Sequence, residues 1–192
     1  MKIGVLASQG AFAEHIDLLH RLDREAVPVR LPGDLEGADG LIIPGGESTT
    51  ISRLMAEYNL VDDVVSLVND GMPVFGTCAG MILMARNIYD NGVKSLNLMD
   101  ITVRRNAFGR QTDSFEADLA ISVLGDKPFP CIFIRAPIIE RIDDGVEAVA
   151  QLDNGTVVAA RQGKLLVSSF HPELTGDTRF HRYFLDIVDG KR

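Results

Sequence analysis

The alternation of apolar and polar positions divides the chain into strands and helices that take turns from the first residues onward. Residues 2–6, Lys-Ile-Gly-Val-Leu, form a short β-type run. Over 11–22 the apolar residues Phe12, Ile16, Leu19 and Leu22 recur at helical spacing, which predicts an amphipathic helix. Residues 26–31 and 40–43 read as the second and third strands, the third closed by Pro44-Gly45-Gly46. A helix capped by Ser48 is expected to run to about Glu57, and another covers 61–69. The apolar run Met72-Pro73-Val74-Phe75 then meets Gly76-Thr77-Cys78-Ala79-Gly80, and Met81-Ile82-Leu83-Met84-Ala85 follows. That layout predicts a strand, a sharp turn with cysteine at its apex, and a helix. The alternation as a whole predicts an α/β fold, a central and mostly parallel sheet held between two layers of helices.

The second half changes character. Strands are expected over 100–104, 115–123 and 131–134. Residues 147–152 and 156–160 flank Asp153-Asn154-Gly155, a hairpin signal. The apolar strand 164–168 runs toward His171-Pro172-Glu173, and an amphipathic helix over 177–188 closes the pattern. No repeat, low-complexity segment or linker divides the sequence, so a single domain over 1–192 is expected.

Composition narrows the function classes. At 46% hydrophobic residues, a chain of 192 can build a real core. A net charge of −8 with no basic block argues against nucleic acid, and the lack of Trp leaves no aromatic stacking platform. The longest uncharged apolar stretch, 71–85, contains glycines and a proline and is too short to span a bilayer. The first residues, Met1-Lys2-Ile3-Gly4-Val5-Leu6, have no signal-peptide pattern and read as a strand. Cys78 and Cys131 lie far apart with no C-x-x-C motif, so no disulfide framework is expected and a reducing cytoplasm fits best.

Open α/β sheets bind ligands beyond the carboxyl ends of their strands, and three motifs fall at such ends here. The first is Cys78. Small neighbours let the backbone bend tightly and let a substrate approach, and a helix N-terminus favours the thiolate, so Cys78 reads as a nucleophile. Cys131, in Cys131-Ile132-Phe133-Ile134, has no glycine turn and keeps the reading of a core thiol. The second motif is His171-Pro172-Glu173. In extended backbone, residues two apart project to one side, so Glu173 can accept from one ring nitrogen of His171 while the other faces the thiol. His15, His20 and His181 show no comparable company, and no H-E-x-x-H or Cys/His cluster suggests a metal. The third is Gly45-Gly46-Glu47-Ser48. It is either an ordinary strand-to-helix turn or, beside a nucleophile, the source of an oxyanion donor in the Gly46 amide, with the Ala79 amide as the second. The Lys-Ser/Thr ending of a P-loop is missing. Two arginine segments, residues 104–111 and Ile134-Arg135-Ala136-Pro137, read either as solvated loops or as clamps for a substrate carboxylate.

G-x-C-x-G followed much later by H-P-E resembles the class I (triad) glutamine amidotransferases. Four further segments are similar to one branch of that family, the glutaminase subunits of pyridoxal 5′-phosphate synthases. They are Leu6-Ala7-Ser8-Gln9-Gly10-Ala11, Pro44-Gly45-Gly46-Glu47-Ser48-Thr49-Thr50, Arg105-Asn106-Ala107-Phe108-Gly109-Arg110-Gln111 and Phe170-His171-Pro172-Glu173-Leu174. The likeness spans essentially the whole chain. It implies a flavodoxin-like three-layer fold and glutamine hydrolysis, with Cys78 as nucleophile, His171 as general base and then acid, and Glu173 orienting His171. It also implies that Gly46, Glu47 and Ser48 line the L-glutamine site, and that Arg105, Ile134 and Arg135 hold the α-amino acid end. No metal or organic cofactor is called for. The implied partner is a (β/α)₈-barrel synthase subunit in a large hetero-oligomer, which takes up the ammonia internally and combines it with a pentose phosphate and a triose phosphate. The rival readings are the glutaminase subunit of another amidotransferase, such as imidazole glycerol phosphate synthase, a related-fold cysteine hydrolase or peptidase, and a binding module that has kept the fold.

Overall fold

The computed structural model describes residues 1–89, 92–107 and 114–192. The first half runs β1 (Lys2–Leu6), α1 (Phe12–Arg21), β2 (Glu25–Val29), β3 (Gly40–Ile43), α2 (Ser48–Glu57), α3 (Leu60–Asn69), β4 (Val74–Thr77) and α4 (Ala79–Met84). The second half runs β5 (Ala85–Ile88), β6 (Met99–Arg104), β7 (Ser114–Leu119), β8 (Phe129–Ile134), β9 (Ile138–Ile142), β10 (Glu147–Gln151), β11 (Val157–Gln162), β12 (Leu165–Ser168) and α5 (Arg179–Val188).

The sheet order is β2-β1-β3-β4-β12-β11-β9-β6-β5, with β10 paired to β11. The stretch from β2 to β12 is parallel throughout. Beyond β12 the pairing turns antiparallel through β11 and β9 to β6, and β5 returns parallel to β6. The parallel part is what the alternation of strands and helices predicts. Its last strand, β12, arrives from the far end of the sequence and lies beside β4.

Side chains alternate across each strand, and the core divides accordingly. Leu41, Ile43, Val74, Leu165 and Val167 face α2, α3 and α4 in one apolar cluster. Ile42, Phe75 and Leu166 face α1 and α5 in the other. Both faces of the parallel strands are therefore buried, which is why β3, β4 and β12 read as unbroken small or apolar runs rather than alternating ones. Phe75 anchors the second cluster, with its ring 5.6 Å from Phe180 and 5.5 Å from Phe184.

The expected boundaries shift in several places. The expected strand 115–123 stops at Leu119, and Ser122–Leu124 is a short 3-10 turn. Together β7 and β8 form a separate antiparallel ribbon. Strands β5 and β9 carry no clear period-two pattern, and they form because neighbouring strands supply hydrogen-bond partners. The hairpin between β10 and β11 closes as its Asn154-Gly155 signal predicts, with the Gly155 amide donating to Leu152 at 2.8 Å and Gly155 at φ 84°. No helix among the described residues is long and apolar enough to cross a membrane.

Phe75→Ala leaves a cavity between the sheet and α5, so it should lower unfolding free energy by about 3–5 kcal/mol. Urea denaturation followed by circular dichroism measures it.

Candidate active site

The turn after β4 is set by close approach. A side chain on Gly80 would collide with the Ile43 carbonyl oxygen, and one on Gly76 would come within 2.7 Å of the Gly80 carbonyl carbon. Only glycine at both positions lets α4 lie this near β3 and β4. Cys78, between them, takes φ 48° and ψ −100°, a conformation that L-residues seldom adopt. Its amide donates to Ser168 at 2.7 Å, so β12 holds the strained residue in place. The thiol sits at the N-terminal end of α4, with the Ile134 carbonyl oxygen 4.0 Å away.

His171 follows β12 and therefore emerges beside Cys78. Its amide donates to Ile132 at 2.8 Å, which ties it to β8. Its Nδ1 lies 2.6 Å from Glu173 Oε1. The expected pairing thus forms, but not through extended backbone. Residues Pro172–Leu174 make a 3-10 turn, begun by Pro172, and this turn folds the carboxylate back onto the ring. With Nδ1 engaged, Nε2 is left for Cys78. Burial opposes an imidazolium here, but hydrogen bonds with Cys78 and Glu173 and their charges outweigh it and push His171 up to about 10. Burial also works against ionised Glu173, yet His15 and His171 together hold its carboxyl below the usual range.

A cavity of about 340 Å³ opens at this point, lined among others by Gln9, Gly46, Glu47, Cys78, Arg105 and His171. Ser48, Ile134 and Arg135 line it as well, so the candidate residues named from the sequence, apart from Glu173 and Ala79, border one space. Ala79, buried directly after Cys78, begins α4. Asn106 at φ 46° and Arg135 at φ 42° are two further non-glycine residues of positive φ at this site. Of the arginine segment 104–111, residues 104–107 are described, whereas 108–111 lie outside the described residues.

Ser48 does not cap α2. Glu47 does, accepting from the Thr49 and Thr50 amides at 3.0 and 2.7 Å and from the Thr50 hydroxyl at 2.6 Å. Those bonds, led by the Thr50 hydroxyl, bring Glu47 down to about 2. Arg105 Nη2 stands 3.8 Å from the same carboxylate, so a negative charge held by the α2 cap and a positive charge flank the cavity.

Gln9 was not anticipated as a site residue. It follows the carboxyl end of β1, and its Oε1 accepts from the Glu47 amide at 2.7 Å. The strand-end rule applied to β1 could have found it. His15 and His181 are also not isolated as expected: both are fully buried and 2.9 Å apart, and His15 reaches Glu173. Cys131 is fully buried, and burial, with Asp118, pushes it up to about 12, as suits a protonated core thiol. Among the described residues, no group of three or more His, Cys, Asp or Glu could hold a metal ion.

The fold is that of the class I glutamine amidotransferases. A solved glutamine amidotransferase superposes with a TM-score of 0.93 at 49% identity, covering 98% of this chain and 100% of its own. The chain belongs to the SNO glutamine amidotransferase family, whose model matches residues 5–189. Among curated relatives, the pyridoxal 5′-phosphate synthase subunit PdxT of Dehalococcoides mccartyi is 57% identical over 190 residues, covering 98% of this chain and 97% of the relative. PdxT of Pelotomaculum thermopropionicum is 58% identical over 186 residues, covering 97% and 94%.

Two outcomes follow from this geometry. Gly80→Ala forces α4 off the Ile43 carbonyl, so it should cost about 1–3 kcal/mol in urea denaturation and change the alkylation rate of Cys78. His171 has a folded pKa of about 10, above the ordinary 6.5, so its charged form adds stability that is complete below pH 6.5 and lost as pH rises through 10. The stability difference between the native chain and His171→Gln should therefore shrink steadily over that window, measured by urea midpoints against pH.

Proposed function

We propose that this chain hydrolyses L-glutamine to L-glutamate and ammonia through a thioester on Cys78, and supplies the ammonia to a synthase subunit that makes pyridoxal 5′-phosphate. The observation that carries the reading is the 2.6 Å His171–Glu173 bond beside Cys78, at a cavity that also holds Arg105 and Arg135. The relatives named pyridoxal 5′-phosphate synthase subunit PdxT support the pathway.

In this reading His171 Nε2 already holds the proton of the Cys78 thiol, and Cys78 attacks the carboxamide carbon of glutamine as the thiolate. The oxyanion that forms is met by the amides of Gly46 and Ala79. The Gly45 carbonyl is held by the Ala11 amide at 3.0 Å, and a planar trans peptide then directs the Gly46 N–H the other way. His171 passes its proton to the departing nitrogen, the C–N bond breaks, and a γ-glutamyl thioester and ammonia result. Water, deprotonated by His171, then attacks the thioester. The C–S bond breaks, glutamate leaves and the thiol is restored. Glu173 keeps the ring oriented and stabilises its charged form.

Arg105 and Arg135 hold the α-carboxylate, Glu47 the α-ammonium group, and Gly46, Ser48 and the Ile134 backbone shape the remainder of the glutamine site. The whole of 1–192 acts as one glutaminase domain. It works in the cytoplasm, docked on a (β/α)₈-barrel synthase subunit within a large hetero-oligomer, with neither nucleic acid nor membrane as partner. The chemistry uses no metal or organic cofactor.

Glutamate release from glutamine, measured with and without a pyridoxal 5′-phosphate synthase subunit, tests the reading. Strong stimulation by that subunit is expected. Unchanged activity would move the chain to another amidotransferase, and turnover by Cys78→Ala would overturn the scheme. Glu173→Ala should lower kcat/KM by about 100-fold or more, on the scale of general acid–base contributions.

A further inference from the structure

Glu173 uses one carboxylate oxygen for His171, and the other points away from the cavity into the protein. That oxygen, Oε2, is fully buried and makes no well-aligned hydrogen bond among the described residues. What it faces is His15 Nε2, 3.4 Å away, on α1. The same nitrogen lies 3.3 Å from the Thr77 hydroxyl. The far side of the His15 ring, Nδ1, is 2.9 Å from His181 Nε2 on α5. His181 Nδ1 is buried and has no partner among the described residues. A continuous polar line therefore runs from Cys78 through His171, Glu173 and His15 to His181, crossing from the cavity to the opposite face of the sheet.

The proton positions along this line are determined by the one end that has no partner. If His15 carried its proton on Nδ1, it would donate to His181 Nε2. His181 would then need its proton on Nδ1, leaving a buried N–H with no acceptor, a costly arrangement. The bare Nε2 of His15 would also face a carboxylate oxygen. A doubly protonated His15 strands the same His181 N–H. The remaining arrangement has a proton on Nε2 of both rings: His181 donates to His15, and the His15 Nε2–H lies between the Thr77 hydroxyl at 3.3 Å and Glu173 Oε2 at 3.4 Å. Only a lone pair is then left unpartnered, at His181 Nδ1.

We propose that His15 is a positioning residue, a neutral imidazole whose Nε2–H holds the second oxygen of Glu173, with His181 fixing its tautomer. This rests on the triad reading above. Neutrality agrees with the surroundings. Burial pushes His15 down, only partly countered by Glu173, while His171 adds to the fall and Glu14 opposes it. Burial pushes His181 down further, helped by His15 and Arg21. Phe75 stands edge-on to both rings, at 6.3 Å from His15 and 5.8 Å from His181, and excludes water from the contact. The role is twofold. The N–H replaces the water that an ionised carboxylate would otherwise need, and it stops Glu173 from rotating away from His171.

Loss of this donor should make Glu173 easier to protonate. The acid limb of kcat/KM then moves to higher pH, and activity near pH 6 falls more than activity near pH 8. In glutamate-release assays with the synthase subunit, His15→Leu should lose about 10-fold or more near neutral pH, the scale of lost second-layer partners. His15→Gln, whose amide N–H can occupy the place of Nε2, should recover most of the loss. An unshifted acid limb in folded His15→Leu, or no recovery in His15→Gln, would overturn the proposal. Should His15→Leu fail to fold, His181→Leu must shift the limb in the same direction by a smaller amount, and an unchanged profile there sinks it. Nitrogen-15 NMR of the native chain gives a readout independent of turnover. Both rings should be neutral Nε2–H tautomers from pH 6 to about 8.5, and an Nδ1–H tautomer at His15 would refute the assignment. If the native chain releases no glutamate, the functional reading fails while the tautomer result still decides the His15 contact.

Discussion

Gly80 lies so near the Ile43 carbonyl that no side chain fits between them, and the site depends on that approach. It draws α4 down onto β3 and β4 and leaves Cys78 to turn the corner at φ 48°. A conformation of this kind costs on the order of 1–3 kcal/mol and persists only where the surroundings over-determine it. Here they do. Strands β3 and β12 pair with β4 on either side, and the Cys78 amide is bonded to Ser168. The result is a largely buried thiol held at the carboxyl edge of the sheet, where it borders the cavity.

The second constraint is electrostatic. A carboxylate nine-tenths or more removed from water is stable only if its oxygens find donors. Glu173 meets this with His171 on one oxygen and His15 beside the other. Each histidine comes from a different part of the fold, the loop after β12 and helix α1. The charged pair at the cavity and the neutral pair behind it thus join the two faces of the sheet. Glu47 solves the same problem at the surface by capping α2, and so becomes a fixed charge at the cavity mouth rather than a mobile side chain.

Much of the site was legible in the sequence because its chemistry is local. Gly76 to Gly80 announces a tight turn around a cysteine, and the two-residue spacing of His171 and Glu173 keeps them together whether the backbone is extended or, as here, a 3-10 turn. The misreadings arose where local propensity competes with tertiary contacts. Ser48 has the better capping propensity, but it is buried inside the first turn of α2, and Glu47 reaches the free amides instead. Gln9 looks like any polar loop residue until β1 and β3 bring it against the Glu47 amide. His15 and His181 stand on helices distant in sequence, and nothing in their neighbours reveals that they touch.

The sequence by itself determined the kind of fold and the reactive groups. Hydrophobic periodicity dictates which segments are strands and helices, and glycine spacing dictates where the backbone can turn. Both are properties of a few consecutive residues. Only the tertiary structure decided the company those groups keep. Placing β12 beside β4 delivers His171 to Cys78 from across the chain, and packing α1 and α5 on one face lines up His181, His15 and Glu173. The physical reason is that charge and hydrogen bonding act through space over a few ångströms, whereas a sequence records only neighbours along the backbone.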